Sequence, residues 1–329
     1  MKYFKSALAG IAVWGLFSGL ATAQDSISMG IVGKIGGIPW TNSIETGMKK
    51  QADEMGVKAE LIGPVSSDPS LQVRAIEDLI ARKVDVIGIV PNDSSAIEPV
   101  LQKARAAGIK VIANEGPNLK NIDWNFDLVS SKGLGEAHAK LLAEKLGGKG
   151  KYAVYVGSLT VPLHNAWADA AIAYIKENYP DMIMVGDRYG VAESVDDSRK
   201  TTIDLMAAHP DLAGIMAFGS QGPIGAGRAV AEQRKIGKVI VIGTFSAGQG
   251  RTLVKSGAIT AGYTWSPEDA GRVFVILGKL AHDGVAIKDG MDIPVLGKVS
   301  PNFENKNIVV DNLLLFDKAS IDKYAQMGL

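Results

Sequence analysis

Short apolar runs rich in Val and Ile alternate with amphipathic stretches along nearly the whole chain: 28–33, 59–62, 84–90, 109–113, 152–157, 182–185, 213–218, 239–243 and 258–264. Within each run polar residues are scarce, as in strands covered on both faces. The stretches between them carry helix signals. Asn42 with Glu45 three residues on reads as a capping box, followed by Ile44, Met48, Ala52 and Met55 on one face. Asp68 sets a capping side chain before Pro69, and Leu71, Ala75, Ile76, Leu79 and Ile80 mark that helix's buried side. Ser95 with Glu98 opens a third helix, which closes on Lys103, Arg105 and Gly108. A β-α-β-α order with short connections predicts doubly wound parallel sheets. The strands are too many for one sheet, and the alternation falters at 116–118 and 294–307. Two similar α/β lobes are therefore expected, with the chain crossing between them more than once.

Composition narrows the function classes. The 329 residues carry 35 Lys+Arg against 35 Asp+Glu, with no Cys and four His. A balanced charge without a basic run speaks against a nucleic-acid partner. The lack of Cys rules out disulfides, cysteine zinc sites, iron–sulfur clusters and thiol nucleophiles. His138, His164, His209 and His282 never fall at helical i, i+4 spacing, so no metal site is expected. At the N-terminus, Lys2 and Lys5 precede an apolar stretch, Ala7 to Leu20, and an Ala21-Thr22-Ala23 cleavage pattern. That is the form of a secretory signal peptide, too short for a membrane span. Cleavage after Ala23 leaves 306 residues with 33 positive and 35 negative side chains. Export without disulfides fits a bacterial periplasm.

In open α/β sheets ligands bind beyond the carboxyl ends of the strands. The loops this rule selects are rich in aromatic and polar residues. Trp40 and Asn42 follow the first strand after Lys34; Asp93 follows the third and Glu115 the fourth. His164, Asn165 and Trp167 come after Gly157, and Gln221, Phe245 and Trp265 follow later strands. After cleavage four Trp remain, and Trp40, Trp167 and Trp265 all lie at strand-to-helix junctions. A flat ring suits the C–H face of a sugar or polyol, whose hydroxyls meet amides, hydroxyls and a few charges. Each residue has a plainer reading too. Trp40 and Trp167 could cap the core, Asn42 and Asp93 could cap helices, and His164 could be structural. Glu115 ends an apolar strand, where a buried carboxylate needs Lys34 or a hydroxyl-rich ligand as partner.

Catalytic patterns are weak. There is no P-loop and no nucleophile elbow, and the glycines at 219, 222, 225 and 227 miss the dinucleotide-binding spacing. Asp93 and Glu115 could form an acid/base pair of a sugar-processing enzyme, but neither carries a distinctive motif. No catalytic residue and no cofactor is assigned.

The ensemble is nevertheless distinctive: a signal peptide, twin α/β lobes, K-x-G-G-I-P-W at 34–40, G-I-K-V-I-A-N-E at 108–115 and F-x-x-x-x-I-D-K-Y at 316–324. The chain resembles the periplasmic solute-binding proteins of bacterial ABC sugar importers, of the ribose-binding-like type I fold, nearest the branch of autoinducer-2 and rhamnose binders. The resemblance implies a monomer of two doubly wound parallel-sheet lobes joined by a three-strand hinge, which delivers its ligand to an inner-membrane permease. The expected N-terminal lobe is 24–115 plus 266–293, and the C-terminal lobe 116–265 plus 294–329. Lys34 and Trp40 match the lysine and stacking aromatic of the autoinducer-2 binders, and Glu115 stands at that branch's hinge-proximal Asp. Leu163 and His164 replace its Asp-Gln pair, and Phe218 and Ser220 fall near its Pro and Ala. Relative to the ribose binders, Gly116 replaces an Arg, Phe245 an Asp and Trp265 a Gln. A more aromatic, less charged cleft points to a neutral polyol or a different small sugar. The competing expectations are a sensor that presents such a ligand to a membrane receptor, and the enzyme above.

Overall fold

The computed structural model describes residues 26–329, so the signal-peptide reading of 1–23 lies outside the described residues. The first lobe builds from β1 (Ser28–Val32), α1 (Pro39–Met55), β2 (Lys58–Ile62), α2 (Pro69–Ala81), β3 (Val86–Ile89), α3 (Ser94–Ala106), β4 (Lys110–Asn114) and β5 (Trp124–Asp127). The second builds from α4 (Ser131–Leu146), β6 (Gly150–Val156), α5 (Pro162–Asn178), β7 (Met182–Met184), β8 (Tyr189–Gly190), α6 (Val195–Ala208), β9 (Leu212–Ala217), α7 (Gly222–Glu232), β10 (Ile240–Gly243), α8 (Ala247–Ser256) and β11 (Gly262–Thr264). The chain then adds α9 (Pro267–His282), a small hairpin of β12 (Asp292–Ile293) and β13 (Gly297–Lys298), β14 (Asn307–Val309), β15 (Leu314–Phe316) and α10 (Ile321–Gln326).

The first sheet is parallel in the order β14-β5-β4-β3-β1-β2, and the second runs β10-β9-β6-β7 with β8 also on β6. Both are doubly wound, as the alternation predicts. Burial on both faces explains the apolar runs. In β1, Met29 and Ile31 pack with Ile44, Met48 and Phe274 of α1 and α9, whereas Val32 packs with Ile76 and Leu79 of α2. Glycine lets α1 and α9 meet backbone to backbone: a Cβ on Gly47 would stand 1.8 Å from the Glu268 carbonyl oxygen.

Two lobe boundaries differ from expectation. β5 pairs with β4 and β14 pairs with β5, so Trp124–Asp127 and Asn307–Val309 join the first sheet and not the second. The first crossing follows Asp127 and the third lies between Val309 and Leu314. Asn125, Asp127 and Asn307 make these strands polar, which is why no apolar run marked them. The two crossings are stitched together, Val310 N–H donating to the Asp127 carbonyl at 2.9 Å and Asn312 N–H to that of Leu128 at 2.9 Å. The middle crossing runs from β11, which pairs with β15, into α9. Helix starts also differ. Pro39 opens α1 after Ile38, so Asn42 sits a turn inside rather than at a cap. Asp93, not Ser95, caps α3. Asp68 caps α2, accepting from Ser70 N–H at 2.8 Å. Among the described residues no helix is long and apolar enough to cross a membrane.

Candidate functional site

In each sheet the strand order reverses direction once, between β1 and β3 in the first lobe and between β6 and β9 in the second. The loops leaving these strands define the crevice in which such folds hold ligands. Here the two crevices meet in one interlobe cleft. The first lobe contributes Gly33, Lys34, Ile35, Ile38, Trp40, Thr41, Ile44, Val90 and Glu115. The second contributes His164, Trp167, Glu193, Phe218, Gly219, Ser220 and Thr244, and Trp265 comes from the middle crossing. The free space left between the walls is small, about 20 Å³, and opens in part towards solvent.

Aromatic rings form one side. Trp40, in the first turn of α1, meets Trp265 edge to face at 5.0 Å, and Trp265 meets Trp167 at 5.2 Å. Trp167 stacks on His164 at 5.2 Å, with the rings 22° apart. The Trp167 indole N–H is buried and finds no hydrogen-bond partner among the described residues.

Charge concentrates next to the rings, on the far side of the His164 that Trp167 stacks on, and Lys34 is its centre. Its Nζ lies 2.6 Å from Glu115 Oε2, 2.8 Å from His164 Nε2 and 3.8 Å from Glu193 Oε1, so it links the two lobes. All four side chains are buried. Gly157 N–H donates to His164 Nδ1 at 3.1 Å. Both ring nitrogens therefore face N–H donors, and an imidazolium there has no acceptor. Burial, with the Lys34 charge second, holds His164 well below the ordinary imidazole value. Burial raises Glu193 from its ordinary carboxyl value, with Lys34 opposing and Glu115 adding to the rise.

Glu115 sits at φ 62°, a left-handed conformation uncommon for a side chain of its size. Two hydrogen bonds hold it there: its own N–H donates to Asp127 Oδ1 at 3.1 Å, and Gly116 N–H to Asn125 Oδ1 at 2.8 Å. The crossing strands thus fix the direction in which Glu115 points. Burial and the neighbouring Glu115 charge push Asp127 up to about 7.

Of the residues singled out in the sequence, Lys34, Trp40, Glu115, His164, Trp167 and Trp265 line this cleft. The others do not. Asn42 is exposed on α1. Asp93 caps α3 through Ser95 and Ala96 N–H, 2.8 and 3.0 Å from its Oδ1, and lines a separate open groove. Asn165 braces its loop, donating to the carbonyls of Ser158 and Val161. Gln221 binds Ser220 and Gln249, and Phe245 lies in the second lobe's own core against Phe316. Asp93 and Glu115, which the sequence leaves open as a possible acid/base pair, line different cavities. Glu193 is the functional candidate that sequence reasoning missed. The cleft is accordingly more charged than expected. Among the described residues no group of three or more His, Asp or Glu is placed to hold a metal.

Comparison with known proteins bears on the same architecture. The chain is 27% identical over 250 residues to the ribose import binding protein of Bacillus subtilis, covering 74% of this chain and 76% of that one. It is 24% identical to the D-allose-binding periplasmic protein of Escherichia coli, covering 96% and 98%. An L-rhamnose-bound ABC transporter solute-binding protein from Clostridium phytofermentans superposes with a TM-score of 0.85 at 21% identity, covering 92% of this chain and 99% of its own. Residues 29–284 match the periplasmic binding protein domain, and with two doubly wound lobes hinged by three crossings the chain belongs to that family, with the type I fold.

Proposed function

We propose that this protein is the periplasmic solute-binding component of an ABC importer, taking a small neutral sugar or polyol into the interlobe cleft and delivering it to an inner-membrane permease. The observation that carries this reading is the cleft itself. Three Trp rings border it next to a compact group of charged hydrogen-bonding side chains, and the residues come from both lobes. Rings stack on the C–H faces of a sugar while carboxylates accept from its hydroxyls and Lys34 donates to its oxygens. A neutral His164 retains one N–H, which is left facing a donor. A ligand oxygen entering between Lys34 and His164 would accept from both and remove that mismatch.

Hinge closure is the working motion. Only when the lobes approach can Glu115 and His164 grip one molecule, so ligand shifts the population towards the closed form. The permease then distinguishes loaded from empty protein by shape. On this reading the protein works as a monomer without cofactor and leaves its ligand chemically unchanged. The ribose and allose relatives support the sugar assignment, and the export signal read at 1–23 supports the compartment.

Calorimetric titration against pentoses, hexoses, tetritols and pentitols tests the assignment. Saturable binding of at least one, recovered unchanged, is expected. Binding confined to charged ligands would overturn it. Trp40→Ala and Glu115→Ala should abolish ligand-induced thermal stabilisation while each variant remains folded; stabilisation unchanged in both would remove this cleft as the site.

A further inference from the structure

Glu193 is 7% exposed and lines the cleft, yet it accepts no hydrogen bond from any described residue. The nearest basic side chains, the Lys34 ammonium at 3.8 Å and the neutral His164 ring with Nδ1 at 3.9 Å, lie beyond hydrogen-bonding distance. Buried carboxylates are ordinarily satisfied, and one left open towards a cleft is a recognition group in search of donors. Local structure places it deliberately. Tyr189 and Gly190 form the two-residue β8 paired beside the end of β6, and Ser194 begins α6 by accepting from Asp197 N–H at 3.1 Å. That leaves Glu193 as the last residue before the cap. On the facing strand end, Gly157 makes the room: a Cβ there would stand 2.9 Å from Glu193 Oε1 and 2.8 Å from His164 Nδ1.

We propose that Glu193 is a ligand-recognition residue of the second lobe, and that with Glu115 opposite it restricts the cleft to uncharged polyhydroxylated ligands. This rests on the sugar-binding reading above and sharpens its substrate class. A carboxylate only accepts, and hydroxyls of a neutral ligand supply the donors that Glu193 lacks. The cleft holds two carboxylates against one ammonium, and that ammonium is already engaged by Glu115 at 2.6 Å. An anionic ligand would add a third negative charge in a site shielded from water, where repulsion is strong. Sugar acids are thus rejected by a built-in like charge, not only by lost contacts.

The experiment compares wild type, Glu193→Gln and Glu193→Asp by calorimetry at neutral pH. The ligand pairs are D-ribose with D-ribonate, L-rhamnose with L-rhamnonate, and xylitol with D-xylonate. For any pair whose neutral member binds, wild type should prefer it over the acid by about 100-fold or more. Glu193→Gln should weaken the neutral ligand about tenfold and narrow the gap to its acid by a similar factor. Glu193→Asp keeps the charge one methylene further back, so it should weaken the neutral ligand while still rejecting the acid. Matching circular dichroism and melting temperatures establish that the variants fold; were Glu193→Gln not to fold, the Glu193→Asp result alone decides. Neutral affinity and acid rejection both unchanged in Glu193→Gln, or in Glu193→Asp where it stands alone, would overturn the role of Glu193 and leave the sugar reading intact. So would a wild type that binds an acid as tightly as its neutral partner. Failure of wild type to bind any neutral compound, here or in the wider panel, would overturn the sugar reading and this inference with it.

Discussion

A single missing methyl group separates the polar side of this cleft from a packed core. Gly157 follows β6 and is not among the glycines with positive φ, so it is not needed for its backbone freedom. What it provides is space, because His164 and Glu193 both occupy the volume a side chain would fill. Gly157→Ala should therefore push one or both aside, at a cost of about 1–3 kcal/mol if the neighbours cannot yield. Calorimetry should record about a tenfold or greater loss of ligand affinity, outweighing any fall in melting temperature. Affinity unchanged by the substitution would mean that neither side chain contributes to binding. The same scale shows what a sequence can and cannot disclose. Trp40, Trp167 and Trp265 stood out because rare, large rings recur just beyond apolar strands, where the fold rule places ligands. Glu193 did not, because it lies in a turn after a strand only two residues long, which gives no periodic signal. Asn42 and Asp93 have capping chemistry that is indistinguishable in sequence from ligand chemistry. Asn42 does neither, since Pro39 starts the helix earlier, and Asp93 caps.

At the scale of elements, the sheet-and-helix alternation was legible wherever strands were apolar on both faces. The crossing strands were not, and for a physical reason. They meet at a junction whose polar side chains bond to one another, Asn125 Nδ2 donating to Asn307 Oδ1 at 2.7 Å and to Asp127 Oδ2 at 3.1 Å. Such strands are stabilised by a hydrogen-bond network rather than by an apolar pattern. The middle crossing has its own anchor. His138 of α4 is fully buried, its Nδ1–H donates to the Leu134 carbonyl at 3.0 Å, and its Nε2 accepts from Tyr263 N–H of β11 at 3.1 Å. Only the neutral ring satisfies both bonds, and burial lowers its pKa from 6.5 to about 4. Between those values the unfolded chain binds the extra proton. The neutral ring's contribution is complete above about 6.5 and fades as pH falls towards 4, by about 3 kcal/mol in all. Asp127, raised to about 7, acts in the opposite sense over an overlapping range, so a difference measurement is needed. The melting-temperature advantage of wild type over His138→Gln should shrink between pH 7 and pH 5, by the equivalent of about 2 kcal/mol. An advantage that stays constant across that interval would show that His138 does not titrate against folding.

For the whole molecule the decisive residue is Lys34, because it belongs to one lobe and reaches two. Its ammonium is bonded to Glu115 in the first lobe and lies beside His164 and Glu193 in the second. Close by, Thr160 Oγ1 donates to the Asn92 carbonyl at 3.1 Å, a second link across the cleft. Closing the lobes brings two carboxylates together in a dry space, which is costly unless a cation comes with them. Lys34 supplies it. Lys34→Met keeps the length of the side chain but removes the charge, leaving Glu115 and Glu193 to repel each other as the lobes approach. Closure should then become unfavourable even though neither sheet core is touched. In solution scattering, wild type should contract when a saturating sugar or polyol is added. Lys34→Met should remain extended at that concentration and need about tenfold more ligand or greater to contract. Contraction of the variant at the same ligand concentration would show that closure is driven by the aromatic contacts alone. Retained extension together with an unchanged melting temperature of the ligand-free protein would place the effect in the hinge equilibrium, and not in folding.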